Sequence, residues 1–363
     1  MIRRGTSGFL PPPAAFSNGQ DLSLIGHMFE ANLRHGGTAA LATLAEEAFS
    51  PICLRHPYRT LDLLRRAIKL TEGFGPERSV AITAAIQYAQ FAGDDATVHE
   101  LCDLLIAAFP PEHPYHNGSL SVKGFAYLNA RDFATARTFL QRAYEDCEEE
   151  DRKSVALAML GFVDWHVGDF ESAIGRIEQA IDRLKRSERE NRDRNLAGMH
   201  AELCLIHAVR GDWDAAIESG FAARAFTNTA LPTTIIAAAP LGLALVFAGR
   251  KEEGVSLIRM ALAETYRERM PYAQVVALDA AAVAMAHLGG RPVAEAILDA
   301  SSAMRRRLGL LRSPAERQWI QAQSGLNPDN LKPSPLRLQT PGSLAEWLGE
   351  ALERSIHPDP EVA

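Results

Sequence analysis

Leu61, Leu64, Ile68 and Leu70 fall at helical intervals within Thr60–Glu72, which predicts an amphipathic helix there. Asp21–Arg34 and Thr38–Phe49 carry the same kind of pattern, so residues 21–75 are expected to form a helical cap. Ahead of them, residues 1–20 hold Arg3, Arg4, Gly5, Gly8 and Pro11 to Pro13 but no apolar stretch of signal-peptide length, and read as a disordered leader. At the other end, Leu344, Trp347, Leu348, Ala351, Leu352 and Ile356 mark one face of a helix over residues 342–357, with Glu346, Glu350, Glu353 and Arg354 on much of the rest. Ser343 and Glu346 match a capping box, which sets the helix start at Ser343. Pro328, Pro333, Pro335 and Pro341 make residues 326–341 a linker, because proline cannot continue a helix.

Between these ends, turns of one type recur: a Gly or polar residue, then Asp or Arg, then usually a small residue four positions on. They are Gly93-Asp94, Arg131-Asp132, Gly168-Asp169, Gly211-Asp212, Gly249-Arg250 and Gly290-Arg291. Their second residues are 38, 37, 43, 38 and 41 apart, a repeat period with variable linkers. In each turn the first residue ends one helix in a left-handed cap and the second opens the next helix, while the small residue lets the two backbones approach. The pattern predicts about six helix pairs over residues 76–325.

Two of these units resemble the tetratricopeptide repeat family. Gly124, Tyr127, Ala136, Leu140 and Ala143 fall on its small, aromatic, small, large and small positions, and Leu160, Gly161, Ala173, Ile177 and Ala180 repeat the match. Gly242, Gly254, Ile258 and Ala261 fit a further unit, while the Asp94 and Arg291 units fit loosely. The resemblance implies an all-α, right-handed superhelical solenoid of antiparallel helix pairs. A period longer than the family's, about 34 residues, implies longer helices. The run from Ala280 through Gly289-Gly290-Arg291-Pro292 to Pro314-Ala315-Glu316-Arg317 also looks like the end of the helical sensor arm of bacterial maltose-regulator and LuxR-like transcription regulators. This chain has no Gly-x-x-x-x-Gly-Lys-Ser/Thr phosphate loop, and no convincing helix-turn-helix.

Composition agrees with the repeat reading. At 363 residues, with 47% hydrophobic but only 7% aromatic content, the chain suits an elongated Ala- and Leu-rich array. A net charge of −7 argues against direct nucleic-acid binding. Leu231–Gly249 is the most apolar stretch, but Pro232, Thr233, Thr234 and Pro240 mark it as a buried core helix and not a membrane span. Cys53, Cys102, Cys147 and Cys204 lack metal or disulfide spacing and read as reduced thiols of a cytoplasmic protein.

Candidate chemistry is sparse. His200, Cys204 and His207 share a helix face at a spacing that allows a metal, but Cys204 and His207 fall on packing positions of the repeat, so the expectation is no metal and no cofactor. Pro110-Pro111-Glu112-His113-Pro114-Tyr115-His116 reads as an inter-repeat linker. The charges of Arg183–Arg194 read as a solvated helix surface, and Arg305-Arg306-Arg307 sits near a helix C-terminus, where the macrodipole favours cations.

The resemblance implies that the first helix of each pair lines a concave face carrying Phe125, Leu128, Phe162, Trp165, His166, Leu205, Leu243 and Val246. Two readings stand side by side: an apolar groove for a peptide, a protein helix or a small apolar ligand, or a tightly wound core. A partner-binding regulator or sensor is the leading expectation. An enzyme using Asp164, His166, His200 or His207 inside the superhelix is the alternative, with no catalytic residue assigned. The C-terminal stripe of Leu344, Trp347, Leu348 and Leu352 is expected to dock in the groove or on a second copy in a homodimer.

Overall fold

The computed structural model describes residues 57–71, 73, 75–92, 94–188, 192–226, 231–267, 270–334 and 341–356, with isolated positions before residue 57. The leader 1–20 and nearly all of the expected helices Asp21–Arg34 and Thr38–Phe49 lie outside the described residues. Every regular element among the described residues is helical. In chain order they are α1 Pro57–Lys69, α2 Pro76–Ala92, α3 Asp95–Ala108, α4 Pro114–Asn129, α5 Phe133–Glu145, α6 Glu150–Val167, α7 Phe170–Leu184 and α8 Arg192–Arg210. They continue as α9 Trp213–Arg224, α10 Leu231–Phe247, α11 Lys251–Arg267, α12 Pro271–His287, α13 Arg291–Leu308, α14 Pro314–Ser324 and α15 Pro341–Ile356.

The chain divides into two compact units, Met1–Ala108 and Phe109–Ala363, a break that falls inside the stretch read as repeats. In the first unit α1 packs on α2 and α2 on α3. Asp94 opens α3 by accepting a hydrogen bond from the Thr97 amide at 3.1 Å.

In the second unit α4 to α13 form five consecutive hairpins, and each turns through a residue in the left-handed region. At the α6–α7 corner Gly168 takes a φ of 96°, and the Asp169 amide donates back to the Asp164 carbonyl at 2.9 Å. The Asp169 side chain then accepts from the Ser172 amide at 3.2 Å, which caps α7. Gly211, Gly249 and Gly289 occupy the same left-handed position, so the last turn begins one residue earlier than Gly290. Gly290 is itself the N-cap of α13.

Paired backbones touch where the sequence places small residues. A Cβ on Gly161 would stand 2.9 Å from the Ala173 carbonyl oxygen and from Ile177, and one on Gly124 2.5 Å from Leu140. A Cβ on Gly242 would meet the Gly254 carbonyl oxygen at 2.6 Å. Pro240 lies inside α10, whose Leu241, Leu243 and Leu245 are fully buried.

Two helices stand outside the pair order. α14 packs on α6, α8 and α12, all first helices of their hairpins, so it lies along the inner layer of the array. α15 packs on α11 and α12 and buries Leu348 and Leu352, with Trp347 half-buried and Glu353 paired to Arg259. It starts at Pro341, ahead of the Ser343 capping box, and the side chain of Leu344 lies outside the described residues. The described part of the linker is tied to α13, where the Ser334 amide donates to Asp299 Oδ2 at 2.7 Å.

Candidate functional site

The inner layer converges on a chain of buried charges. Arg312 grips Asp279 with two nitrogens, at 3.1 and 2.5 Å, and also donates to Ser302 Oγ at 2.6 Å. Arg305 bridges from Asp279 Oδ2 at 2.8 Å to Glu316 Oε1 at 3.2 Å. Arg131 closes the chain, donating to Glu316 Oε2 at 2.7 Å and to the Leu311 carbonyl at 2.5 Å. Asp279, Arg305, Arg312 and Glu316 are all buried, so each charge depends on its partners.

Local structure positions each of these groups. Glu316 is the third residue of α14 and completes a capping box with Ser313: the Ser313 amide donates to Glu316 Oε2 at 2.6 Å, and the Glu316 amide donates to Ser313 Oγ at 3.2 Å. The same carboxylate therefore starts the helix and fastens it to the inner layer. Arg131 is the single non-glycine described residue in the left-handed region, with φ 64°, at a turn position that Gly168, Gly211, Gly249 and Gly289 fill elsewhere. For a residue with a Cβ this costs about 1–2 kcal/mol. The contacts of its guanidinium with α14 offset the cost.

Burial and neighbouring charge set the protonation states. Burial alone favours a neutral Glu316, but Arg305, Arg131 and the Ser313 amide hold its carboxyl well below the ordinary range. Asp279 is likewise held low, its burial outweighed by Arg312 and Arg305. Burial pushes His166 down to about 3, so it is neutral. An arginine can only donate, so the 3.2 Å contact from Arg131 makes His166 Nε2 the acceptor and puts the ring proton on Nδ1, which lies 4.0 Å from Glu316 Oε2. Glu202 is pushed up to about 7, mainly by burial and against the hydrogen bond it accepts from Trp165 Nε1 at 2.7 Å.

Of the eight residues projected onto the concave face, Leu128, Trp165, His166, Leu205, Leu243 and Val246 are buried, and only Phe125 and Phe162 are half-buried. The face as it stands is closed. Trp165, Leu205, Val209 and Val276 meet Trp319 of α14 across a cavity of about 10 Å³, room for one water. Among the expected enzyme residues, Asp164 pairs with Arg137 at 2.7 Å and Arg176 at 3.0 Å. Cys204 is buried against Gly220 with its thiol pushed up by burial, and His207 lies 3.9 Å from Asp212. No group of three metal-ligating side chains occurs among the described residues. In the proline-rich loop His113 caps α4, accepting from the Tyr115 amide at 3.2 Å, and His116 contacts the Phe109 carbonyl at 2.9 Å.

Sequence reasoning did not find Arg131, Asp279, Arg312 and Glu316, and it explained Arg305 by the helix dipole alone. The structure corrects that last point: Arg305 is buried between two carboxylates, while Arg306 and Arg307 are exposed. A visible signal was Asp279 itself, the lone acid in the apolar run Val275–Met285, which needs a partner once buried.

No protein-family model matches the sequence, and no curated protein does. Among solved structures, a Rap protein complexed with Competence and Sporulation Factor is similar with a TM-score of 0.51 at 12% identity, covering 88% of each chain. BtubC (BKLC) from P. vanneervenii aligns over 62% of this chain and 87% of its own, at 16% identity and a TM-score of 0.41. The Rap likeness is one of fold, and this chain has a tetratricopeptide-like, all-α helical-repeat architecture. No helix among the described residues is long and apolar enough to cross a membrane.

Proposed function

We propose that this protein is a regulatory helical-repeat adaptor that binds a peptide, or a helix of a partner protein, on the face built by the first helices of its hairpins. One observation carries the reading: that face already holds a helix, α14, which belongs to no hairpin and lies on α6, α8 and α12. A surface that seats an amphipathic helix by one carboxylate and one aromatic side chain has the chemistry of helix-in-groove recognition. The shared fold with a Rap protein solved in complex with Competence and Sporulation Factor supports a ligand-responsive role. The likeness to the sensor arm of transcription regulators points the same way. A cavity with room for one water beside the charged cluster favours a helical ligand over an enclosed small molecule or a substrate.

Site-specific photo-crosslinking in the host cells tests this. A benzophenone side chain at Phe125 or Phe162, both half-buried on first helices, is expected to join one defined polypeptide, while the same probe at exposed Thr138 or Gln179 on second helices is not. Crosslinks no more frequent at the inner positions than at the outer ones contradict the reading.

A further inference from the structure

We propose that residues 309–326, centred on α14, are a built-in ligand of the inner face, and that the natural partner is an acidic–aromatic helix that takes their place. The inference rests on the helix-binding reading above and names the partner's chemistry.

α14 differs from the hairpin helices in how it is held. It packs on the first helices α6, α8 and α12, takes one ion pair from Arg305 of α13, and is bounded by glycines in the left-handed region, Gly309 with φ 70° and Gly325 with φ 68°, where the chain can turn into and out of the groove. Its hold on the array is ionic at one end: Glu316 receives Arg131 and Arg305, and the groove supplies both cations from the repeats themselves. Its hold is aromatic one turn later, where Trp319 faces Trp165, Leu205, Val209 and Val276.

The fit between the two surfaces is incomplete. Trp319 Nε1, Arg305 Nε and His166 Nδ1 are buried without a hydrogen-bond partner in the protein, and all three lie where α14 meets the inner layer. Hairpin packing elsewhere brings backbones into direct contact, as at Gly161 and Gly242. An interface with orphaned donors at its centre is one that a better-matched occupant improves. Arg131 carries backbone strain at a turn where every other described hairpin of this unit uses glycine, and its side chain contacts α14 on one side and the first-helix residue His166 on the other. The strain thus serves the groove and not the hairpin.

The matching partner is a helix with a carboxylate in its first turn and an aromatic residue three positions on, in the spacing of Glu316 and Trp319. The carboxylate binds between Arg131 and Arg305. The aromatic ring enters the cavity beside Trp165, where a phenolic hydroxyl, which can accept, reaches the Arg305 Nε and His166 Nδ1 donors that α14 leaves unmet. Because α14 is tethered, its effective concentration is high, on the order of millimolar for short linkers, and a free partner must compete with it.

The test uses the full chain and a fluorescent synthetic peptide of residues 311–326. Glu316→Lys turns the self-ligand's anchor against Arg131 and Arg305 and empties the groove. The Glu316→Lys chain is expected to bind the peptide at least ten-fold more tightly than the unmodified chain does. Arg131→Ala added to it, or Glu→Gln at the peptide's position 316, is expected to reverse most of the gain. If Glu316→Lys does not fold, Glu316→Gln, which keeps the shape and removes the charge, carries the same comparison. A folded variant whose peptide affinity equals that of the unmodified chain overturns the proposal, as does a gain that survives Arg131→Ala. In cells, crosslinking at Phe162 is expected to rise several-fold in the Glu316→Lys chain. An unchanged yield of the same crosslinked partner overturns the self-ligand proposal while leaving the helix-binding function standing.

Discussion

Arg131 concentrates the argument about this molecule in one side chain. Replacing it by glycine relieves about 1–2 kcal/mol of left-handed strain, yet it also removes a partner from buried Glu316, a loss on the order of 3–5 kcal/mol when a buried pair is broken outright. Arg305 stays in place to hold the carboxylate. Arg131→Gly is therefore expected to destabilise the protein by about 1–3 kcal/mol in urea unfolding, and a stabilised variant would show that the turn strain outweighs the ion pair. Glu202 offers a second test at a single residue. Its carboxyl titrates at about 7 in the folded protein against 4.5 ordinarily, so the folded state holds the proton longer, and its contribution to stability is present below pH 4.5 and lost as pH rises through 7. His166 acts in the opposite sense, its stabilising effect being lost as pH falls from 6.5 toward 3. Glu202→Gln keeps an acceptor for Trp165 and removes the titration. It is expected to be more stable than the unmodified chain by about 1–3 kcal/mol at pH 8, with the difference below about 1 kcal/mol at pH 5. Equal melting temperatures at pH 8 would contradict the burial of that carboxyl. The sequence marked His166 as a position on the concave face, but the pairing of Arg131 with Glu316 and the burial of Glu202 were not legible in it. Arg131 and Glu316 are 185 positions apart, and nothing local says which buried charge meets which.

The helices and their corners were far more legible, because the signals are local. A glycine before an aspartate fixes a left-handed cap and an N-cap within two residues, and a small residue four positions on fixes the close approach. Gly161 and Gly175 separate that packing role from helix propensity. A Cβ on Gly161 runs into the Ala173 carbonyl oxygen and Ile177, whereas one on exposed Gly175, inside α7, meets nothing within 4 Å. Gly161→Ala is expected to destabilise by about 1–3 kcal/mol, and Gly175→Ala to stabilise by about 0.5–1 kcal/mol; thermal unfolding of the two variants checks both signs. The capping box at Ser313 shows where local reading stops. There the glutamate also reaches the repeats, a second role that only the fold reveals. α15 is held by side chains the sequence did mark, Leu348 and Leu352, both fully buried against the array. Leu352→Ala is expected to cost about 2–5 kcal/mol; a loss under 1 kcal/mol would show that α15 is loosely docked.

Across the second unit, the hairpins make an inner layer and the chain fills that layer with its own α14. The sequence distinguished an open groove from a wound core only as alternatives, because period and turn chemistry specify each hairpin but not how far successive hairpins curve. The closed state buries six of the eight projected groove residues, and it places a chain of three arginines and two carboxylates beside positions that the sequence marked as mostly apolar. If α14 is a ligand of the repeats and not a part of them, its opening is separable from global unfolding. Native-state hydrogen exchange of the full chain measures this directly. The amides of α14 are expected to exchange at least ten-fold faster than those of α6 and α8, and faster still in Arg131→Gly. Exchange of α14 only at the rate of global unfolding, in step with α6 and α8, would contradict it.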